Sequence, residues 1–370
     1  MTTRVLILTA AFGEGHNSAA KNLALALREL GAEARVEDPC LLGAPHTTRA
    51  LSKGYRLVTT YSPKLWEKLY DRTGDVDFSK QKLPLMRRPE REVERLISEF
   101  APDIIVSTYP LYPYFLERIF EDSKLRIPSF TVVTDSLEIN PAWIHAPTDA
   151  WLVTDADTRA AMVAQGVASS KIVETGFPVH PSFSRLPVPP AMTADSPFDV
   201  VYFATSKAPH VRRISRAILD ASPRTRITLI LGKNVRLLYA KAREIKDTYP
   251  GRVKIKGWTK QVPQILNSHH LVIGKAGGAT VHEAIAACCP MLVHHLVPGQ
   301  EEGNLHLLEK IGAGVYTPGP EAIQGCISDM LADHAAGWKA MRAALARHGR
   351  NAGALAAARF VLGQIEPAGS

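Results

Sequence analysis

Arg4-Val-Leu-Ile-Leu-Thr-Ala10, followed by Gly13-Glu-Gly-His16 and then by residues 18–30, is the stretch whose reading decides the fold. The first run is continuously apolar, which predicts a strand covered on both faces, as in a parallel sheet. Residues 13–16 read as a glycine-bounded loop. Apolar residues at Ala19, Ala20, Leu23, Ala26, Leu27 and Leu30 recur at helical spacing and predict a helix over 18–30. The same rhythm predicts strands over 103–108, 129–134, 150–153 and 171–175. Four prolines between Leu186 and Pro197 then break any helix or central strand. Beyond them the rhythm restarts, with strands over 198–204, 226–231, 252–255, 270–273 and 291–294. The sequence therefore predicts two doubly wound, Rossmann-like α/β domains facing a cleft. The first spans 1–185, a proline-rich linker 186–197, and the second 198–350. A C-terminal helix over 351–370 packs back on the first. Such sheets bind ligands at the carboxyl ends of their strands.

Composition narrows the class. The chain has 370 residues, of which 46% are hydrophobic and 22% charged, values that exclude a disordered, collagen-like or coiled-coil protein. Cys40, Cys288, Cys289 and Cys326 show no metal-ligand spacing and suit a reducing cytosol. No apolar stretch reaches the roughly 18 residues of a spanning helix, so the expected membrane contact is peripheral. The net charge of +8 calls for an anionic partner: nucleic acid, a phosphorylated ligand or an anionic membrane.

Gly274-Lys-Ala-Gly-Gly-Ala-Thr-Val-His-Glu283 carries the most chemistry. Two adjacent glycines, Gly277 and Gly278, stand between a predicted strand and a helix beginning near Thr280. They allow close backbone approach to a diphosphate, which the helix N-terminus attracts through its free N–H groups. Ala279 and Thr280 belong to the same turn. Glu283 lies one turn inside, where a carboxylate can accept from both ribose hydroxyls; the alternative is a tight turn with a solvated Glu. Pro290-Met-Leu-Val-His-His-Leu-Val-Pro-Gly-Gln-Glu-Glu-Gly-Asn304 follows, and Gln300 and Glu301 are of a type that binds sugar hydroxyls.

Lys275-x-Gly-Gly, Glu283 and Pro298-Gly-Gln-Glu-x-x-Asn304 resemble the donor site of the diacylglycerol glycosyltransferases in glycosyltransferase family 28. These are the processive glucosyltransferases and the monogalactosyldiacylglycerol synthases. The resemblance continues through Gly13-Glu-Gly-His16, Thr134-Asp135, Trp143 and His145, Gly176-Phe-Pro-Val-x-Pro-Ser-Phe183, Gly232-Lys-Asn234 and Gly257-Trp258. It implies a GT-B fold and transfer of glucose or galactose from a UDP-sugar to diacylglycerol, with inversion. No cofactor is implied, and helix dipoles and side chains serve in place of a metal. His16 is assigned to the reaction centre, touching the diphosphate or serving as base. Asp135 is the other candidate base, or the group that orients His16. Gly15, Lys233, Asn234, Gly257 and Trp258 join Gly277, Gly278, Ala279, Thr280, Glu283, Gln300 and Glu301 as UDP-sugar contacts. The chain departs from the family at Ala204-Thr-Ser-Lys-Ala-Pro209, which lacks the usual glycines, so Ser206 and Lys207 are expected to substitute with side chains. His180 stands where Arg is usual. Asp155-Ala-Asp157 resembles a metal-binding pair but reads as a helix N-cap.

Between His46 and Arg88 lie ten Lys or Arg and four Asp or Glu, interleaved with aromatic and aliphatic residues. With a lipid acceptor, this pattern predicts a surface resting on an anionic membrane rather than nucleic acid. Tyr61, Trp66, Arg87, Arg88, Trp143 and His145 are the candidate acceptor and membrane residues. The expected location is cytoplasmic, on the inner face of the cell membrane. The alternatives are a UDP-GlcNAc-dependent transferase to another lipid, a UDP-sugar epimerase, and a non-catalytic nucleotide-sensing membrane protein.

Overall fold

A computed structural model describes residues 2–62, 86–187, 192–193, 196–204, 208–299, 301–350 and 352–365, without the side chains of Arg56, Thr60, Tyr61, Ala208 and Pro209. The chain forms two compact units. The first comprises Met1–Pro181, Val297–Gly303 and Asn351–Ser370; the second comprises Ser182–Leu296 and Asn304–Arg350.

In the first unit, β1 (Arg4–Leu8), β2 (Glu33–Glu37), β3 (Ile104–Ser107), β4 (Ser129–Val132), β5 (Ala150–Val153) and β6 (Ile172–Glu174) pair in the order β2-β1-β3-β4-β5-β6. Every pairing is parallel. The helices are α1 (Glu14–Glu29), α2 (Pro39–Gly43), α3 (Pro45–Tyr61), α4 (Arg87–Phe100), α5 (Tyr112–Ser123), α6 (Pro141–Ile144) and α7 (Ala156–Ala164). Helices α4 and α5 bury Val93, Leu96, Phe115 and Ile119 against one face of the sheet, together with Leu6, Leu8 and Ile105. Val5, Ile7 and Val106 point the other way, toward α1, as strand alternation requires.

The first helix begins four residues earlier than its periodicity predicts. Gly13 takes φ +129, a region that favours glycine, and the chain turns there directly into α1. His16 is therefore the third residue of a helix rather than part of a loop. Asp155 caps α7 as expected, its Oδ1 accepting from the Thr158 N–H at 2.8 Å.

The second unit repeats the plan with β7 (Phe198–Phe203), β8 (Thr225–Ile230), β9 (Val253–Lys256), β10 (Leu271–Lys275), β11 (Met291–His295) and β12 (Gly314–Tyr316), in the order β12-β11-β10-β7-β8-β9. All pairings are again parallel. Its helices are α8 (Ala208–Asp220), α9 (Val235–Thr248), α10 (Val262–Ser268), α11 (Gly278–Ala286), α12 (Glu302–Ile311) and α13 (Pro320–His348), the last broken at Ala332–Ala335. Val211, Ile214, Leu238, Ile327 and Trp338 from α8, α9 and α13 cover one face over Val200, Tyr202, Leu229 and Ile273. Arg350 closes the unit by donating to the carbonyls of Leu186 and Ala286 and to Asn267 Oδ1.

The last helix, α14 (Gly353–Leu362), belongs to the first unit. Ala354, Ala357, Ala358 and Val361 are fully buried among Ala20, Leu23, Ala24 and Leu27 of α1, and these small side chains bring two helix backbones close. The approach is closest at Gly353, whose N–H donates to Phe177 O at 3.1 Å. A Cβ there would lie 2.1 Å from Gly176 O. Gly353→Ala is expected to lower unfolding free energy by about 1–3 kcal/mol through overpacking against rigid backbone. Gly325→Ala, within α13 and with nothing within 4 Å, should raise it by about 0.5–1 kcal/mol. Urea denaturation of the two variants checks both signs.

Candidate functional site

In the first unit the polar side chains gather at the carboxyl ends of β1, β3 and β4. The His16 imidazole is 8% exposed, and its Nδ1 lies 2.9 Å from Thr134 Oγ1. Thr108 Oγ1 donates to the His16 carbonyl at 3.2 Å, fixing the first turn of α1. Tyr109 meets the imidazole edge-on at a centroid distance of 5.2 Å, and Phe12 stacks beyond it at 5.9 Å. Burial lowers the His16 pKa to about 4, so the ring is neutral at physiological pH.

Asp135 does not orient His16. Its Oδ2 accepts from Trp143 Nε1 at 2.8 Å, and the side chain that touches the imidazole is the preceding Thr134. Burial raises the Asp135 carboxyl to about 6, partly offset by the Trp143 hydrogen bond. Trp143, expected at an acceptor or membrane surface, is 1% exposed. Its indole sits 6.0 Å from the His16 ring, and its carbonyl accepts from Trp151 Nε1 at 2.7 Å. Pro141 opens the short helix α6 under an Asn140 cap, and that turn drives the indole inward instead of outward. His145 closes α6 and is exposed. Gly15 lies beside His16 with open space around its Cα.

In the second unit, Gly277 precedes α11 and supplies no side-chain cap, which leaves the N–H groups of Gly278, Ala279 and Thr280 at the helix start. Asn304 Nδ2 donates to Ala276 O at 3.1 Å and pins this turn. Its buried Oδ1 has no hydrogen-bond partner among the described residues. Glu283 sits on the second turn of α11, half-buried. Desolvation pushes its carboxyl up to about 8, with no opposing charge.

Lys233 and Asn234 form the exposed end of a single 3-10 turn, Gly232–Asn234. Gly257 lies against its neighbour, since a Cβ would come 3.0 Å from Val235 Cγ2. Trp258, next to it, is 61% exposed, an unusual state for an indole. Glu301, expected with the second domain, lies in a segment that clusters with the first unit. A Cβ on Gly303 would be 1.9 Å from Ser136 O, and the Glu301 carboxylate folds back onto the Val297 N–H at 3.2 Å. Gln300, Ser206, Lys207, Trp66 and the Tyr61 side chain lie outside the described residues. Arg87 and Arg88 are exposed at the start of α4. Among the described residues no group of three or more His, Cys, Asp or Glu is placed to hold a metal ion.

A family model described as monogalactosyldiacylglycerol (MGDG) synthase matches residues 16–179. The chain is 27% identical over 332 residues to a processive diacylglycerol beta-glucosyltransferase of Bacillus cereus (strain 03BB102), covering 84% of this chain and 81% of that protein. It is 26% identical over 349 residues to the protein of the same description from Bacillus pumilus (strain SAFR-032), covering 89% and 87%. Among solved structures, Acinetobacter baumannii MurG superposes with a TM-score of 0.64 at 14% identity, covering 98% of this chain and 100% of that one. The S. aureus MnaA-UDP co-structure superposes with a TM-score of 0.59 at 13% identity, covering 98% and 95%. At such identities the structural likeness establishes the fold, two Rossmann-like units of the GT-B type. With that fold and these relatives along most of its length, the chain is a glycosyltransferase related to the diacylglycerol glycosyltransferases of family 28.

Proposed function

We propose that the protein transfers a hexose from a UDP-sugar to the free hydroxyl of diacylglycerol, with inversion, at an anionic membrane on the inner face of the cell. The observation that carries the donor half is Glu283, a desolvated carboxyl with no hydrogen-bond partner among the described residues, one turn inside an uncapped helix start. The free N–H groups of Gly278, Ala279 and Thr280 suit a diphosphate. A ribose held by Glu283 then stands one helical turn away, and Trp258 offers a flat apolar face for a base. Lys233, Asn234, Gln300, Glu301, Ser206 and Lys207 complete the proposed UDP-sugar set. The relatives described as diacylglycerol glucosyltransferases support the acceptor.

Membrane docking is supported by α3. His46, Arg49, Lys53 and Leu57 recur at helical spacing along its exposed side, and Arg87 and Arg88 are also exposed. No described helix is long and apolar enough to cross a membrane.

Purified protein incubated with UDP-glucose or UDP-galactose and diacylglycerol liposomes should form glycosyldiacylglycerol with a β linkage, identified by mass spectrometry and NMR of the lipid product. Donor turnover that needs no liposomes would indicate an epimerase, and UDP binding without transfer a sensor.

The donor site has its own pH signature. Ribose hydroxyls donate best to an ionised carboxylate, whereas desolvation alone holds Glu283 at a pKa of about 8. Binding therefore releases a proton, and UDP affinity should rise as pH increases from 7 toward 9. In calorimetric titrations Glu283→Gln should weaken UDP binding by about 10-fold or more and remove this pH dependence.

Arg49→Ala with Lys53→Ala should weaken sedimentation with phosphatidylglycerol vesicles by about 10-fold or more, because each cation near an anionic surface contributes about 1 kcal/mol. The loss should shrink with added salt.

A further inference from the structure

Between Arg212 and Arg243 the sequence holds nine Lys or Arg against one acid, Asp220. That excess of eight equals the net charge of the whole chain, so the rest of the molecule is balanced and its attraction for anions is concentrated here. The stretch folds as α8, β8 and the first part of α9, all within the second unit. Arg226 is committed to the fold, with its guanidinium on both Asp199 oxygens at 2.7 Å, and Arg224 is half-buried. Lys233 belongs to the proposed donor set. The other six are exposed: Arg212, Arg213 and Arg216 on α8, and Arg236, Lys241 and Arg243 on α9.

The two helices lie side by side. Arg212 Nη1 meets Glu244 Oε1 at 3.4 Å and Lys241 Nζ meets Glu244 Oε2 at 3.2 Å, while toward the other end of α8 the Tyr249 hydroxyl donates to Asp220 Oδ1 at 2.7 Å. Their exposed sides therefore form one surface. Asp247 accepts from Arg243 Nε at 3.0 Å, so the three acids of α8 and α9 all have partners. Arg213, Arg216 and Arg236 have no ion pair among the described residues.

Folding gains nothing from this arrangement. Arg212 and Arg216 stand four residues apart on α8, and Arg213 and Arg216 three apart, spacings at which like charges repel. Leu238, Ala242 and Ile245 hold the inner side of α9 in the core, yet Leu237 is 58% exposed and Tyr239 47%. Large apolar side chains held in water among cations fit the headgroup layer of an anionic bilayer, which takes both. The phosphates of a nucleic acid would take the cations and leave Leu237 in water.

We infer that the outer side of α8 and α9 is a docking surface for an anionic lipid bilayer, carried by the second unit and separate from α3. Arg213, Arg216 and Arg236 meet lipid phosphates, and Leu237 enters the layer beside them. The inference goes beyond the docking of α3 and depends on neither the sugar nor the acceptor.

Sedimentation of the full chain with mixed phosphatidylcholine and phosphatidylglycerol vesicles tests it in the Arg49→Ala, Lys53→Ala background, where α3 contributes least. Binding should persist there, and its absence overturns the proposal. Adding Arg213→Ala, Arg216→Ala and Arg236→Ala should weaken that binding by more than about tenfold, since each cation near an anionic surface is worth several-fold; a smaller loss overturns it. Leu237→Ser should weaken vesicle binding by more than about threefold and leave the affinity for labelled poly(U) RNA unchanged. RNA bound more tightly than the vesicles at equal phosphate and salt would assign the surface to nucleic acid instead.

Two further readings separate docking from structure and from the donor site. The arginine triple variant should melt at or above the Tm of its parent, because repulsion is relieved and Ala favours helix; a lower Tm makes these arginines structural and overturns the proposal. Its UDP affinity should stay within about twofold, and a UDP affinity that falls with the vesicle affinity places them in the donor site. A protein that binds these vesicles but glycosylates no lipid defeats the transferase reading and leaves the docking surface standing.

Discussion

Strand β1 pairs in parallel with β2 on one side and β3 on the other, so Val5 faces both Ala34 and Ile104. Connections leaving such a strand run in opposite directions, and the reversal opens a space above its carboxyl end. The second unit repeats the reversal at β7, between β8 and β10. The side chains with unusual chemistry lie at or next to these points. His16 follows β1, Thr108 and Tyr109 follow β3, and Thr134 and Asp135 follow β4. In the second unit, the Ala276–Thr280 turn follows β10. Hydrophobic burial on both faces sets the strand order, and the strand order sets where polar groups can collect without being trapped in the core.

Desolvation then decides which of these groups carry charge. A low dielectric penalises the ionised form, so burial favours neutral His16 and neutral Glu283 at neutral pH. Neither charge is left buried and uncompensated, which would be costly to the fold. Asp135 is the intermediate case, shifted toward neutrality but restrained by the Trp143 indole.

Central strands were legible in the sequence because a strand covered on both faces is written as an unbroken apolar run, as in Val5 to Leu8. Of the four edge strands, β6 and β9 were expected as well, and β2 and β12 were not. β2 reads Glu-Ala-Arg-Val-Glu, a charged pattern that an edge half-open to water tolerates, and β12 has only three residues. The start of α1 was misplaced because Gly13, through its left-side φ, ends the turn sooner than apolar spacing can reveal. In the site, His16, Asp135 and Glu283 were visible as chemistry-bearing types after predicted strands. The contact of Thr134 with the imidazole was not, since a threonine at a strand end is ordinary and only the fold brings its hydroxyl to 2.9 Å from His16 Nδ1. Trp143 entered as an acceptor or membrane candidate through the Trp-x-His resemblance, and a lone tryptophan gives no periodic signal that its indole turns inward.

The closing helix α14 has a consequence for the order of events during synthesis. Its four buried side chains complete the cluster around α1, yet they are made after the whole of the second unit, which ends at Arg350. Domains commonly fold in the order they leave the ribosome. Here most of the first unit emerges before the second, with the Ala20, Leu23, Ala24 and Leu27 side of α1 uncovered, and that stripe lacks its cover until α14 has been made. The second unit can reach its native state while the first still waits for its last ten helical residues. During that interval the uncovered stripe is the surface a chaperone would hold.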